Sequence, residues 1–481
     1  MTASAVIFFI FTVMKNWMLL IYLIFIFLNN CIQGSAQAEL MPIAFPGAEG
    51  FGKYATGGRG GRVIVVNNLN DDGPGSFREA VSQKGKKIIV FVISGTIHLN
   101  SKLNILGDIT IAGQTAPGDG ICLADHPVII GGNNVIIRYM RFRMGDKNQK
   151  GGMVDGNGGD DAFGVTKRKN IIIDHCSMSW STDEVFSVYG GDSTTLQWNL
   201  ITEPLNYSYH FETGDKDYER HGYGGIWGGK HLSAHHNLFA NCLSRNPRFN
   251  GARLGSDDEF VDFRNNVIYN WEHNSTYGGE GGTYNMVNNY YKAGPGTNEK
   301  VRHRIVSPSK NETKWFGQFY VEGNYVHGAK EVTKNNWLGI DMGNGGTESD
   351  KQNAIVKSPF PSEFIKTDSP MDAYYLVTKS VGASFKRDTM DTRVIDEMLN
   401  NKGRYIDVQG GYPHGTAYEK TINAWPYLES LPALKDTDKD GMPDDWEIAK
   451  GLNPKDANDA TNNKLHAFFT NIEVYINSLI K

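Results

Sequence analysis

The chain has too few cysteines for a disulfide framework. Only four of its 481 residues are cysteine, and three of them, Cys122, Cys176 and Cys242, lie beyond the first 38 residues. An odd number in a long chain argues against a set of paired disulfides. The stability of the fold must therefore come from a large apolar core.

The chain also lacks a large excess of either charge. Its 48 Lys and Arg and 53 Asp and Glu give a formal net charge of -5. This balance argues against a nucleic-acid partner, which requires a basic surface. It is equally unhelpful for binding an acidic polymer, so an acidic substrate would need a locally basic cleft or a metal ion.

Long amphipathic helical patterns are scarce, whereas glycine is abundant, with 55 residues. Glycine and asparagine in this number indicate a β-rich and turn-rich chain. We expect one large β domain over residues 39–430, with its core at about 44–330. A small module should follow at residues 431–481.

A long apolar run lies near the N-terminus. Lys15 precedes the apolar residues 17–28, and Ala36-Gln-Ala38 follows them, as in a secretory signal peptide. We expect residues 1–38 to be removed near Ala38 and the protein to be secreted. Two alternatives stay open: the run could be retained as a membrane anchor, or Cys31 could carry a lipid.

Short segments with one repeated pattern recur along the chain. The pattern is apolar-x-apolar-x-x-Asn-apolar-apolar. It occurs at 232–239, 261–268, 284–291 and 319–326, with Asn237, Asn266, Asn289 and Asn324 in the Asn position, and at 171–178 with Cys176 there. Each segment predicts a short strand whose apolar face cannot be buried alone.

Repeats of this kind predict a solenoid of stacked rungs. Stacking would align the asparagines in an internal ladder. The fold class is therefore all-β, a parallel β-helix, with a short helix at residues 76–82 covering the first rung. A β-sandwich or propeller would show more hairpin turns such as Asn-Gly.

Five short motifs occur in a fixed order. They are Ala48-Glu-Gly-Phe-Gly52, Thr56-Gly-Gly-Arg-Gly-Gly61, Asn134-Val-Ile-Ile-Arg138, Ile172-Ile-Asp-His-Cys-Ser177 and Arg245-Asn-Pro-Arg248. In these motifs the chain resembles the secreted pectate lyases of polysaccharide lyase family 1, over roughly residues 44–330. The resemblance implies a right-handed parallel β-helix and calcium-dependent β-elimination of α-1,4-linked galacturonan. The implied partner is pectate, an acidic plant polysaccharide, and we expect a monomer.

The arginines around Pro247 are the candidate catalytic groups. Pro247 fixes its φ and lacks an N–H, so it would hold Arg245 and Arg248 in a defined relation. By the resemblance, Arg245 takes the proton from C5 and Arg248 pairs with a uronate carboxylate. A guanidinium is protonated in water, so Arg245 needs nearby cations that disfavour its charge. Arg253 and Lys230 are weaker candidates for substrate binding, because a family arginine and lysine are missing.

Four acids are candidates for the cleft calcium that the resemblance implies. They are Asp160, Asp161, Asp183 and Glu184. Asp161 and Asp183 match two family ligands, whereas Gly159 and Ser187 occupy the other two positions. Calcium takes oxygen ligands and would bridge them to the substrate carboxylate, on which charge builds as C5 loses its proton.

Three nearby arginines, Arg138, Arg141 and Arg143, lie on one predicted strand segment. Arg141 and Arg143 fall on the same face, because side chains alternate along a strand. They could extend a positive cleft lining, or they could be solvated on an outer face.

An acidic loop near the C-terminus matches the calcium loop of EF-hands. Its side-chain ligands at positions 1, 3, 5, 9 and 12 would be Asp436, Asp438, Asp440, Asp444 and Glu447, and Met442 would offer its carbonyl at position 7. We predict a structural calcium site, because one loop supplies all ligands and no base lies nearby.

Three functions are open from the sequence. The leading one is a secreted lyase acting on demethylated galacturonan. If the missing acids have disabled the cleft, the chain would bind uronans without cleaving them. A polygalacturonase-type hydrolase would need two carboxylates flanking the bond, such as Asp160 and Asp161, but Arg245 would then have no role.

Overall fold

The structure is a computed structural model that describes residues 42–147, 160–208, 210, 220–254 and 258–480, without the side chains of residues 253 and 254. The predicted signal peptide, with Cys31 and Ala38, and also Gly159 lie outside these ranges. No helix among the described residues is both long and apolar enough to cross a membrane.

Short strands dominate the described chain. They are β1 (Arg62–Val66), β2 (Lys87–Phe91), β3 (Gly95–His98), β4 (Leu103–Ile105), β5 (Ile109–Ala112), β6 (Ile121–Ala124), β7 (Val128–Ile130), β8 (Val135–Arg138), β9 (Met140–Arg143), β10 (Phe163–Thr166), β11 (Lys169–Asp174), β12 (Ser177–Ser179), β13 (Phe186–Gln197), β14 (Leu200–Thr202), β15 (Ile226–Gly229), β16 (Leu232–His235), β17 (Leu238–Ala240), β18 (Arg248–Phe249), β19 (Phe260–Arg264), β20 (Val267–Tyr269), β21 (Thr276–Gly278), β22 (Thr283–Val287), β23 (Tyr290–Lys292), β24 (Val306–Pro308), β25 (Gln318–Glu322) and β26 (Tyr325–Val326).

The α-helices are fewer and lie mostly after the strands. They are α1 (Phe77–Ser82), α2 (Lys330–Lys334), α3 (Glu348–Ala354), α4 (Pro370–Ser380), α5 (Thr389–Leu399), α6 (Asp444–Lys450) and α7 (Asn471–Ser478).

The strands form three parallel sheets. Sheet 1 contains β1, β2, β5, β8, β11, β13, β16, β19, β22 and β25; sheet 2 contains β3, β6, β9, β12, β14, β17, β20, β23 and β26; sheet 3 contains β4, β7, β10, β13, β15, β18, β21 and β24. Their pairings are parallel, and β13 bends from sheet 3 into sheet 1. Each rung visits the three sheets in turn, which is the predicted parallel β-helix.

A left-handed residue followed by asparagine makes the corner between sheets 1 and 2. His236, Asn265 and Asn288 have φ of 55°, 55° and 52°. This conformation turns the chain sharply and is tolerated only as single residues. The repeated segments, each predicted as one strand, therefore contain two short strands separated by this corner.

The predicted asparagine ladder follows the corner. The backbone N–H and Nδ2 of Asn237 donate to Oδ1 of Asn266 at 3.0 and 2.9 Å, and the same two bonds link Asn266 to Asn289. The ladder extends at its ends to Asn199 and Asn336, which lie outside the repeated sequence pattern. The buried amide groups of each rung thus find their hydrogen-bond acceptor on the next rung.

Apolar side chains fill the space between the sheets and are covered at the first rung. Phe142, Phe163 and Phe186 stack with ring centroids 4.1 and 5.1 Å apart. As predicted, α1 lies over the first rung with Phe77 and Val81 fully buried. Burial of a Phe side chain contributes roughly 2–3 kcal/mol. The three described cysteines are buried and unpaired, as the odd count indicated.

Sheets 1 and 2 have covered outer faces. Helices α4 and α5 cover sheet 2, where the guanidinium of Arg143 lies 2.5 Å from Asp388 and 2.8 Å from Asp391. Arg141 also pairs with Asp388, at 3.1 Å. Both arginines are therefore buried in an ion-pair network, neither lining a cleft nor exposed to solvent. The C-terminal residues 431–481, called the tail below, cover the first strands of sheet 1 through Met442 and residues of α7.

Sheet 3 carries a groove on its outer side. The groove has a volume of about 400 Å³ and is lined by residues of β7, β10 and β13 and of the turns beside them. Asp160, Asp161 and Asp183 lie in it, together with Lys102 and Arg168.

Candidate active site

The candidate site consists of residues that precede strands of sheet 3. Asp161 precedes β10, Glu184 precedes β13, Tyr223 precedes β15 and Arg245 precedes β18. Backbone hydrogen bonds of 2.8–3.1 Å join these segments from rung to rung. Because parallel strands lie about 4.8 Å apart, residues distant in sequence become neighbours in one column.

Three carboxylates meet in this column. Oxygen atoms of Asp161, Asp183 and Glu184 lie within 4.8 Å of one another. Burial and the Asp183 carboxylate raise the pKa of Asp161 well above its usual range. An ion with oxygen ligands would relieve that repulsion, so the group fits calcium. The Ser187 hydroxyl bonds to Asp161, and the Asp160 carboxylate lies outside the group.

Arg245 lies against these acids. Its guanidinium contacts Glu184, and its Nη1 is 3.8 Å from Oδ1 of Asp183. The Tyr223 ring lies 4.4 Å from Cζ of Arg245. The backbone of Arg245 is left-handed, with φ of 57°, and the peptide between Asn246 and Pro247 is cis. The structure therefore brings the candidate base and three candidate calcium ligands together.

Arg248 lies on the outward face of β18 and is held by its neighbours. It donates to Oε1 of Glu280 at 2.6 Å and to the carbonyls of Phe249 and Asn250 at 2.6 and 3.2 Å. These bonds use three of its five N–H groups. The guanidinium also lies 5.6 Å from the Tyr277 ring centroid, and 12% of the side-chain surface is exposed.

One other predicted substrate contact, Lys230, is not brought to Arg245. Lys230 follows β15 at the end opposite Tyr223 and pairs with Asp258 at 2.9 Å. The side chain of Arg253 lies outside the described atoms.

Glu259 supports the turn that follows Arg248. It accepts hydrogen bonds from the Gly251 backbone at 2.7 Å, the Tyr284 hydroxyl at 2.7 Å and the Asn250 amide at 3.3 Å. Burial raises the pKa of Glu259 to about 7, and those hydrogen bonds only partly oppose the shift. The turn next to Arg248 therefore depends on a carboxyl group that ionises near neutrality.

Glu259→Gln should remove a pH dependence of stability. The carboxyl pKa is 4.5 when unshifted and about 7 in the fold. Between these values the folded chain binds more protons than the unfolded chain, so the free energy of unfolding falls as pH rises, by about 3 kcal/mol. Urea unfolding at pH 5 and pH 8 should show a smaller loss for the variant than for wild type. Glu312→Gln, at an exposed site, is the control, and an equal loss in both variants would contradict the assignment.

Two histidines that sequence reasoning did not select join the site. The Nε2 atom of His221 is 2.5 Å from Oδ1 of Asp183, and that of His210 is 3.9 Å from Oδ2. Burial alone would raise the pKa of Asp183, but the hydrogen bond from His221 and the charge of Arg245 outweigh it and lower the pKa. Both histidines come from the insertion between β14 and β15, which has no periodic pattern.

The tail brings its acids together, with one exchange among the candidate ligands. Oxygens of Asp436, Asp438 and Asp440 lie within 4.8 Å of one another, as do those of Asp440, Glu447 and Asp459. Asp444, predicted at position 9, instead accepts from Lys435 and Thr437 at 2.7 Å. The exchange arises because Asp444 begins α6 and its side chain turns back to the preceding residues.

Glu447 shows that the tail acids suit a cation. Its side chain is fully buried, and neither carboxylate oxygen has a hydrogen-bond partner among the described atoms. Burial and the neighbouring acids raise the pKa of Glu447 to about 8 and that of Asp440 to about 7. The oxygen-only set fits calcium. The Met442 side chain is buried against sheet 1, and its N–H donates to Asp440.

Comparison with known proteins identifies the family. No family model matches the chain. It is 36% identical over 451 residues to “Probable pectate lyase C” of Aspergillus flavus, covering 91% of this chain and 94% of the relative. The identity to the protein of the same name from Neosartorya fischeri is 35% over 459 residues, covering 92% and 96%.

A solved pectate lyase bound to a hexasaccharide superposes with a TM-score of 0.48 and 15% identity, over 72% of this chain and 99% of that one. The sequence relatives extend along nine-tenths of the chain. The protein therefore belongs to the pectate lyase family and is a polysaccharide lyase.

Proposed function

We propose that the chain is an exported, monomeric enzyme that cleaves demethylated α-1,4-galacturonan by calcium-assisted β-elimination. The observation that carries this proposal is the contact of Arg245 with a group of three carboxylates beside the groove of sheet 3. The groove also contains Lys102 and Arg168, which supply positive charge in a chain of negative net charge. These two charges offset only part of the negative charge of Asp160, Asp161 and Asp183, so binding of a polyuronate also requires the calcium ion.

Arg245 is the proposed base for the C5 proton. A carboxylate in contact favours the charged guanidinium, so Arg245 must leave Glu184 and give up its own proton to solvent before it can accept one from C5. Arg248, positioned by Glu280, would donate its remaining N–H groups to the uronate carboxylate. Calcium held by Asp161, Asp183 and Glu184 would supply positive charge against the carboxylate on which negative charge develops.

The tail is proposed as a separate structural calcium module over residues 431–481. Its ligands would be Asp436, Asp438, Asp440, Glu447 and Asp459. Helix α7 packs on the first strands of sheet 1, and Glu473 pairs with Arg59 at 2.9 Å. Ion binding should therefore stabilise the tail where it covers the β-helix.

One assay tests the proposed reaction. The protein from residue 39 onward is incubated with polygalacturonate and calcium, and the ultraviolet absorbance of the products is followed together with their reducing ends. We expect absorbing, unsaturated ends, since β-elimination leaves a double bond. Reducing ends without absorbance would indicate a hydrolase, and neither product would indicate a binding protein.

Asp161→Asn should raise the calcium concentration needed for activity by at least about tenfold. The substitution keeps the size of the side chain but removes a charge from the group of three carboxylates. The melting temperature without calcium should not fall, because the substitution removes a charge that burial and the Asp183 carboxylate disfavour. Rates are measured across a calcium series.

Asp160→Asn is the matched control for this experiment, because its carboxylate lies in the same groove but outside the group. A calcium requirement equal to that of wild type in Asp161→Asn would remove Asp161 from the ligand set. An equal rise in both variants would instead indicate a general effect of groove charge.

A further inference from the structure

We propose that the cleft contains a second cation position, formed by Asp183, His210 and His221, which binds a divalent transition-metal ion such as cobalt, nickel or zinc. Nitrogen and oxygen atoms of these three side chains lie within 4.8 Å of one another. The proposal does not depend on the assignment of calcium to the three carboxylates.

The two imidazoles are arranged around one carboxylate. Their rings are stacked with centroids 3.9 Å apart and planes inclined by 19°. Nε2 of His221 faces Oδ1 of Asp183 at 2.5 Å, and Nε2 of His210 faces Oδ2 at 3.9 Å. Parallel rings therefore direct the same nitrogen of both histidines toward the same aspartate, with a separate oxygen for each.

The surrounding residues fix this arrangement before any ligand arrives. His210 and His221 are 5% and 6% exposed. The Tyr223 ring packs on His221 at 4.0 Å, and the His210 backbone N–H donates to Ser208 at 3.3 Å. The Asp183 side chain keeps 24% of its surface exposed, so an ion can reach the group from the cleft.

The chemistry of the ligands selects the class of ion. Calcium prefers oxygen ligands, whereas imidazole nitrogen suits zinc, nickel and related ions. Two histidines and one carboxylate leave coordination positions open for water or a substrate oxygen. Asp183 also belongs to the group of three carboxylates, so an ion bound to the histidines would use a side chain that the calcium proposal needs.

This position would lie beside the proposed base, because Nη1 of Arg245 is 3.8 Å from Oδ1 of Asp183. An ion there adds positive charge next to the guanidinium. The alternative is that His221 and Asp183 form a hydrogen-bonded ion pair that holds no metal. Direct observation of the ligands distinguishes the two.

The test uses cobalt as the probe on the protein from residue 39 onward after treatment with a chelator. Bound cobalt shifts the ring-proton NMR signals of ligating histidines far outside the usual range, whereas the oxygen-only tail site gives no such signals. We expect shifted imidazole signals in wild type. His210→Ala and His221→Gln should lose them and bind cobalt at least about tenfold more weakly in calorimetry.

His231→Ala is the control, because His231 pairs with Asp192 at the other end of β15 and should leave the signals unchanged. Absence of shifted signals in wild type at saturating cobalt would overturn the proposal, as would their persistence in both variants. The wild-type spectrum decides even if a variant fails to fold. Lyase activity is measured on the same wild-type protein, so failure of the proposed function appears separately.

Discussion

Arg245→Lys is expected to lower the turnover rate on polygalacturonate by at least about 100-fold, because a general base contributes 10²–10⁴-fold to such steps. Lysine has neither the reach nor the planar fork with which Arg245 lies against Glu184, Asp183 and the Tyr223 ring. The fold should be retained, since the guanidinium lies in the cleft and not in the core. Initial rates, melting temperature and oligogalacturonate binding are measured together.

Arg302→Lys is the matched control, because this partly exposed arginine pairs only with Glu299 among the described ion pairs. Its activity should equal that of wild type. If Arg245→Lys retained activity within a few fold, Arg245 would not be the base. If binding fell as much as the rate, Arg245 would be a substrate clamp.

Glu447→Gln is expected to abolish most of the calcium-dependent stability of the tail. In wild type the free energy of unfolding should rise by about 2.7 kcal/mol at a calcium concentration 100 times the dissociation constant. The variant lacks the charge of Glu447, the fully buried candidate ligand, whose two oxygens have no hydrogen-bond partner among the described atoms. Melting temperatures of both proteins are measured across a calcium series, and their rise with calcium concentration is compared between wild type and variant.

Three further variants sharpen this test. Asp445→Asn changes an exposed acid of the same helix and should keep the wild-type calcium response. Asp459→Asn should weaken that response, whereas Asp444→Asn should lower stability at every calcium concentration alike, since Asp444 bonds to Lys435 and Thr437. A calcium response lost in Asp444→Asn and kept in Asp459→Asn would restore the simple loop prediction.

The periodic part of the fold was predictable from sequence. A stacked solenoid places the same position of each rung above the last, so Asn237, Asn266, Asn289 and Asn324 recur in the sequence as they do in space. The corner within each repeat was missed, because a left-handed backbone at a residue such as His236 leaves no compositional signal.

The covering of the sheets was not predictable. Arg141 and Arg143 alternate with apolar residues on β9, a pattern that fits a cleft or an outer face equally well. Their burial depends on Asp388 and Asp391, some 245 residues later, in a segment without a repeat. Buried charges of this kind are tolerated only when paired, and only the folded chain supplies the partner.

The residues of the candidate site also include some that the sequence could predict and some that it could not. Asp161, Asp183, Glu184 and Arg245 could be selected from sequence, because the motifs shared with the family mark them, and the rungs then place them in one column. His210 and His221 come from an irregular insertion, and Asp459 lies outside the calcium-loop pattern of the tail. The sequence by itself determined the rungs and the acids and arginine carried on them. The tertiary structure decided which non-repeating side chains reach those positions, because such contacts depend on the paths of the insertions and not on a local period.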